Sequence, residues 1–365
     1  MKFVCNTQKF SEICSNVQRS VSSKSTIPAI EGILITTAEN SVTVTGYDLE
    51  VGVITSTEAR VEEQGSIILN ARLLCDILRK IEADTVRIET DERMTVKIKG
   101  GEANFSLIGI SSQEYPELPS VNSSFPIVVK GDILKDMIRK TVFAAAENDT
   151  KIVHTGVRFE ISNNLLRLVA VDGFRLAIRN EQIDYIGDEQ VFVVPKKALN
   201  EIMKLVVEDE PVSLNIGKRH IVFEIGSYII VSRLLEGEFL NYKSAIAIND
   251  TTKVIANTRM LINGIERASI FITERAKSPI KCSLGDNLIK ISATTALGTA
   301  DDRIPAKITG NMIEIGFNNK FLLDALKVCD TDEISIRLAS PVLPIIIEPT
   351  EGDSFLFLIL PVKLK

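Results

Sequence analysis

IILNARLLCDILRKIEADTVRIE (67–89), FVVPKKALNEIMKLVVEDEPVSLNI (192–216) and EIGFNNKFLLDALKVCDTDEISIRL (314–338) are three versions of one pattern. Each runs from an apolar strand through a turn residue into an amphipathic helix, then through an acidic break into a second strand. Asn70, Pro195 and Asn318 hold the equivalent turn position, at steps of 125 and 123 residues. A second landmark keeps the same period: Asp48 in VTGYDLEVGV and Asp172 in LVAVDGFRLAI lie 124 residues apart. Two independent landmarks with one period predict three homologous units. Length agrees, because 365 residues is too long for one ordinary domain of ~150.

Outward from these blocks, each unit divides in half. A strand (Lys2–Cys5) and a helix (about Thr7–Val21) open the chain, with Phe10, Ile13, Cys14, Val17 and Val21 at helical spacing. The alternating runs GILITT, SVTVTG and EVGVITSTEA follow as strands, and MTVKIKG and ANFSLIGI come after the block at 67–89. The order strand-helix-strand-strand-strand thus occurs twice per unit and six times in the chain, an α+β pattern. Similar helices open the later units, around Asp132–Ala146 and Asn257–Ile272. Gly100-Gly101 and Asn163-Asn164 read as hairpin turns. The Pro/Ser/Asn-rich connectors PELPSVNSSFP (116–126) and GEFLNYKSAIAIND (237–250) set domains at 1–120, 127–245 and 246–365. Such a protein exposes sheet edges at its first and last units, and head-to-tail pairing of those edges gives a ring or an open array.

Catalytic chemistry is thinly provisioned. His154 and His220 are the only histidines, and neither has a partner at metal-ligand spacing, so neither a metal site nor a cofactor is expected. No GxSxG elbow, GxGxxG or P-loop is present, and Gly217-Lys218-Arg219 lacks both the following Ser/Thr and the upstream glycine. Asp301-Asp302 sits beside polar loops and reads as solvated surface. The longest apolar run, Phe355 to Val362, is eight residues, short of the ~18 a membrane span needs. MKFVCNTQKF turns polar too early for a secretory signal. Five cysteines without a CxxC pair (Cys5, Cys14, Cys75, Cys282, Cys329) suit a reduced, cytoplasmic protein.

Charge is informative only when partitioned. Lys plus Arg number 42 against 48 for Asp plus Glu, a net of −6 that taken whole argues against nucleic-acid binding. The six helical stretches, however, hold fifteen basic and seven acidic residues, a surplus of eight that leaves −14 elsewhere. Like-charged helices lining one surface would attract phosphates through salt-sensitive contacts without base readout.

VAVDGFRLA (169–177), the SQEYPELP connector and the carboxyl end LILPVKLK (358–365), together with the triplication, closely resemble the bacterial DNA sliding clamp family, the β subunits of DNA polymerase III. The resemblance runs from Met1 to Lys365. It implies the DNA clamp fold, with helices inside and antiparallel sheets outside, in a head-to-tail homodimeric ring around duplex DNA. The implied role is non-enzymatic: a processivity factor for the replicative polymerase, opened by a separate ATP-driven loader.

Three sets of residues follow from the resemblance. A pocket for short apolar peptides of partners would involve His154, Thr155, Val171, Gly173, Phe174, Arg175 and Leu176, with Leu240, Pro344, Leu358, Leu360, Pro361 and Val362. The implied occupants are the polymerase α subunit, the 3′-5′ exonuclease-containing complex, the loader, repair polymerases, ligase and mismatch-repair proteins. Here the chain departs from the family pattern. Phe174 replaces a frequent histidine or small polar residue, Ser244 a basic one and His154 an aliphatic one, which puts partner preference in doubt. The dimer contact would set Phe105 and Leu107 against Ile270 and Phe271, and DNA would meet Lys24 and Asn148, with Lys196 and Lys197 as weaker candidates.

Two other classes compete with this reading. A repeat scaffold that binds only proteins would show no difference between circular and linear DNA. An enzyme with a loop-built site around His154, such as a hydrolase, would lose an activity on His154→Ala.

Overall fold

A computed structural model of the chain describes residues 1–121, 126–247, 249–273 and 278–364. Residues 122–125 of the first connector, Ile248 of the second and Lys365 of the carboxyl end lie outside the described residues. The predicted six helices are present: α1 (Thr7–Gln18), α2 (Ala71–Leu78), α3 (Gly131–Val142), α4 (Lys196–Leu205), α6 (Thr258–Ala268) and α7 (Asn319–Lys327). A short α5 (Tyr242–Ala245) lies in the second connector, which the sequence reading treats as irregular. It forms because Tyr242 is buried and anchors the turn.

Four helix starts follow one rule. Asn6, Asn70, Asn257 and Asn318 each accept a backbone N–H of the first turn on the side-chain oxygen, capping α1, α2, α6 and α7. The turn position shared by Asn70 and Asn318 is therefore an N-cap, and Pro195 directly precedes α4 in the same place. Helix ends fall earlier than apolar periodicity suggests, because the chain tightens into i→i+3 bonds after Gln18 and Val142 and into a 3₁₀ turn at Ser269–Phe271.

The chain packs as two compact units, Met1–Asp132 with Asn200–Leu234, and Ile133–Leu199 with Leu235–Lys365. Each holds a 12-stranded antiparallel sheet, and each takes part of the middle repeat. The reason lies in the ladders, which run across repeat borders. Val51–Glu63 pairs with Tyr228–Arg233 in the first unit, and Arg175–Gln182 pairs with Phe355–Ile359 in the second. Burial alternates along most strands, as in TVKIKG (95–100), so one sheet face meets the helices and the other is solvated. In the first unit α1 and α2 pack together, and Phe3 meets Phe10 edge-on at 5.8 Å. In the second, α6 and α7 form the corresponding pair. Both expected hairpin turns are there, with Gly101 at φ +58°, Asn163 at +51° and Asn164 at +61°. None of the helices among the described residues is long and apolar enough to cross a membrane.

Candidate protein-binding site

The residues of DGFRL (172–176) form a tight, self-braced turn between strands Leu165–Val171 and Arg175–Gln182. One carboxylate oxygen of Asp172 accepts the backbone N–H of Phe174 and of Arg175, each at 3.0 Å. Gly173 stands at φ +85°, a conformation that costs an L side chain, although a Cβ there would meet nothing within 4 Å. Backbone geometry, and not crowding, therefore favours glycine. The turn presents Phe174 to solvent, 60% exposed, stacked 5.9 Å from Phe321 of α7.

Arg175 is braced on several sides. It is only 9% exposed, with Nε donating to Asp172 at 2.8 Å and Nη1 to Asp324 of α7 at 2.6 Å. Its guanidinium lies over the rings of Phe321 at 4.6 Å and Phe143 at 5.4 Å. The side chain thus ties the turn to α7. Asp172–Arg175 is a local pair that the sequence could have shown, whereas Asp324, 149 residues away, carries no such signal.

The carboxyl end joins this turn through the sheet. Arg175 pairs with Ile359 and Leu176 with Leu358, and Leu360 donates its N–H to the Phe174 carbonyl at 2.9 Å. Val171, Leu176 and Leu358 are buried together with Val153, Phe239 and Tyr242. They form the floor. Phe174, Leu240, Leu360 and Val362 stay exposed above it, with Pro344 and Pro361 half-buried. Phe239 and Tyr242 are contributions the sequence reading missed, since they sit in a connector. Val171, Leu176 and Leu358 thus support the exposed residues from below.

His154 and Thr155 come from a 3₁₀ turn, Ile152–Thr155, beside this cluster. Thr155 donates its hydroxyl to the Ile152 carbonyl at 2.7 Å. The imidazole Nδ1 lies 3.0 Å from Asp149, and the ring meets Phe239 edge-on at 5.5 Å. Hydrogen bonds from the Lys151 backbone and from His154 hold the Asp149 carboxyl below its ordinary value. The histidine is braced between a carboxylate and an aromatic ring. Ser244, inside the short α5, donates its hydroxyl to the Asn241 carbonyl three residues earlier. The cysteine thiols are pushed up by burial, to about 12 for Cys5, Cys282 and Cys329, which suits packing and not reactivity.

The remaining candidates lie elsewhere. Phe105 and Leu107 are half-buried on Ala103–Ile108, the edge strand of the first sheet. Ile270 is exposed and Phe271 half-buried in the 3₁₀ turn after α6. Lys24, Asn148 and Lys197 are exposed; Lys196 is half-buried and bound by Glu147 at 2.5 Å. Other helix cations are also engaged. Lys140, 3% exposed, is bound by Asp136 and by Asp330 at 2.7 Å, and Arg267 by Asp302 at 2.6 Å. Burial raises the Asp136 carboxyl, but bonds from Arg139, Lys140 and Arg179 outweigh it and the value falls. The surplus of eight therefore overstates the charge available for phosphates.

Family models match along the chain: the N-terminal domain of the DNA polymerase III beta subunit over 1–119, its central domain over 128–241 and its C-terminal domain over 243–363. The beta sliding clamp of Staphylococcus epidermidis is 31% identical over all of this chain and 99% of its own. The chain belongs to the DNA polymerase III beta subunit family, the β sliding clamps. Solved structures agree. The DNA polymerase sliding clamp of Bacillus subtilis superposes with a TM-score of 0.97 at 31% identity over 100% of both chains. The Pseudomonas aeruginosa clamp bound to griselimycin gives 0.93 at 25% over 100% of both. As a member of the family the chain is a DNA sliding clamp for the replicative polymerase and is not itself an enzyme.

Proposed function

We propose that two copies close head to tail into a ring around duplex DNA and tether the polymerase by a peptide seated on the Phe174–Leu360 surface. One observation carries this reading: the chain makes the same joint between repeats twice, and among the described residues the two strands of a third are each left with an unpaired edge.

In the first joint Val51 pairs with Ser232 and Val53 with Ile230; in the second Arg175 pairs with Ile359 and Ala177 with Phe357. Asp48 and Asp172 brace the turn three residues ahead of Val51 and Arg175, and Thr295 does likewise ahead of Gly298, accepting the Leu297 N–H at 3.1 Å. Gly298–Gly310 is thus the third equivalent strand. Among the described residues its first half pairs on one side only, with Leu288–Thr295. Ala103–Ile108, the closing strand of the first repeat, ends the other sheet. Carrying the register over sets Gly298 opposite Leu107 and Ala300 opposite Phe105 of a second copy. The second joint also packs Phe143 against Phe357 at 5.4 Å. Counting from equivalent helix starts, Gly131 and Thr258, the counterpart of Phe143 is Ile270, and that of Phe357 is Phe105. Ile270 and Phe271 against Phe105 and Leu107 then form the apolar centre of the interface.

The three domains are 1–120, 127–245 and 246–365; the family-model matches and the twofold recurrence of the joint support these limits. His154, Thr155, Gly173, Phe174, Arg175, Leu240, Pro344, Leu360, Pro361 and Val362 would meet the peptide, over the floor of Val171, Leu176 and Leu358. A linear motif gains there from a few apolar anchors plus backbone hydrogen bonds. The same surface would serve a loader and repair proteins in the cytoplasm. Lys24 and Asn148 are the DNA contacts, with Lys196 and Lys197 secondary. Retention is topological, so weak phosphate contacts suffice, and anchoring raises the polymerase's effective concentration at its template.

The test loads the full chain on nicked circular DNA with its loader. Bound protein should leave when the circle is cut; retention unchanged by cutting would refute the ring.

A further inference from the structure

From the second joint we infer that Arg267 of one copy and Glu82 of another form an ion pair that latches the ring. The inference rests on the head-to-tail reading but uses a contact outside its apolar centre.

Three helices open with the same hydrogen bond, which fixes their alignment. Thr7 donates its N–H to the Asp84 carbonyl, Gly131 to Glu210 and Thr258 to Asp332, at 2.8–2.9 Å. Nine residues on stand Asn16, Lys140 and Arg267. In the first joint Asn16 donates to the Tyr228 hydroxyl at 2.6 Å. In the second, Lys140 lies 5.5 Å over the Phe355 ring and binds Asp330 at 2.7 Å. Tyr228 and Phe355 open the two closing strands, so the same helix position faces the same strand position in both joints. The third occupant of that helix position is Arg267.

The acidic partner aligns as firmly. Caps Asn70 and Asn318 precede α2 and α7, and Thr85 and Glu333 begin the strands after them. Both intervals are equal, so Glu82 occupies the place of Asp330. It is exposed, as is Arg267, whose side chain is 59% accessible. Among the described residues of its own chain Arg267 reaches only Oδ2 of Asp302, by Nε and Nη2 at 2.7 and 2.6 Å. Asp302 is on the strand whose first half stands open, so it holds the guanidinium at that edge. A second guanidinium edge remains for a carboxylate from the other copy, as fork geometry allows.

Sedimentation of the full chain tests this. Arg267→Glu and Glu82→Arg each place like charges at both joints and should weaken the dimer about tenfold per joint, or roughly a hundredfold for a ring with two. The double variant restores opposite charges at each joint and should recover most of the affinity. Milder Arg267→Gln and Glu82→Gln changes should each weaken it less, with a double variant no worse than either. Phe105→Arg is the control for the joint itself. If Phe105→Arg dissociates the dimer while the charge reversals do not, or the double reversal fails to rescue, the ion pair is overturned and the joint stands. An unaltered dimer in Phe105→Arg overturns the joint and the pair together.

Discussion

Arg175 shows how a nearly buried side chain can brace a candidate site. Its charge is nearly buried, so it needs both Asp172 and Asp324 as partners, and two aromatic rings cover its faces. Arg175→Ala leaves Asp324 without a cation and unties the Phe174 turn from α7. The expected loss is about 2 kcal/mol of stability, read by urea unfolding, together with weaker peptide docking. Arg175→Lys should not restore it, because a point charge cannot bridge two carboxylates and stack on two rings. Phe174 shows the opposite case. The family departure at this position is an exposed ring on Phe321, which widens the apolar rim where a smaller polar residue would leave it open.

Among the elements, four helices owe their starts to asparagine. Asn257 and Asn318 satisfy N–H groups that have no partner inside a helix. Asn257→Ala should cost about 1 kcal/mol, seen as a lower thermal midpoint, and Asn257→Ser should recover most of it. Turns between repeats are fixed in the same local way. Leu49, at φ +76°, occupies the place of Gly173, so the bracing carboxylate of Asp48 imposes the turn even without glycine. Strands behave differently, because Arg175–Gln182 completes its ladder only with a segment some 180 residues later.

For the whole molecule, ion pairing revises the charge picture. Lys140, Lys196 and Arg267 answer carboxylates outside their helices, so fewer cations face phosphate than composition suggests. A clamp that must slide is served by few contacts. Lys24→Glu should lower the slope of log affinity against log salt by about one unit, measured on duplex DNA, and should leave the dimer mass and peptide binding unchanged. A larger drop, or dissociation of the dimer, would place Lys24 in some other role.

Three repeats, the six helices and the α+β class were legible in residue order because they depend on local periodicity, caps and turns. Asn70 and Asn318 could be aligned before their capping role was visible, and the hairpins at Gly100-Gly101 and Asn163-Asn164 follow from their residue types alone. Tertiary structure decided how the repeats are joined: Val51 opposite Ser232, Arg175 opposite Ile359 and bound to Asp324, Lys140 buried on Asp330. Such pairings bring together residues far apart in the chain, and no local pattern encodes them, because their free energy comes from burial and hydrogen bonds that exist only once the sheets have formed.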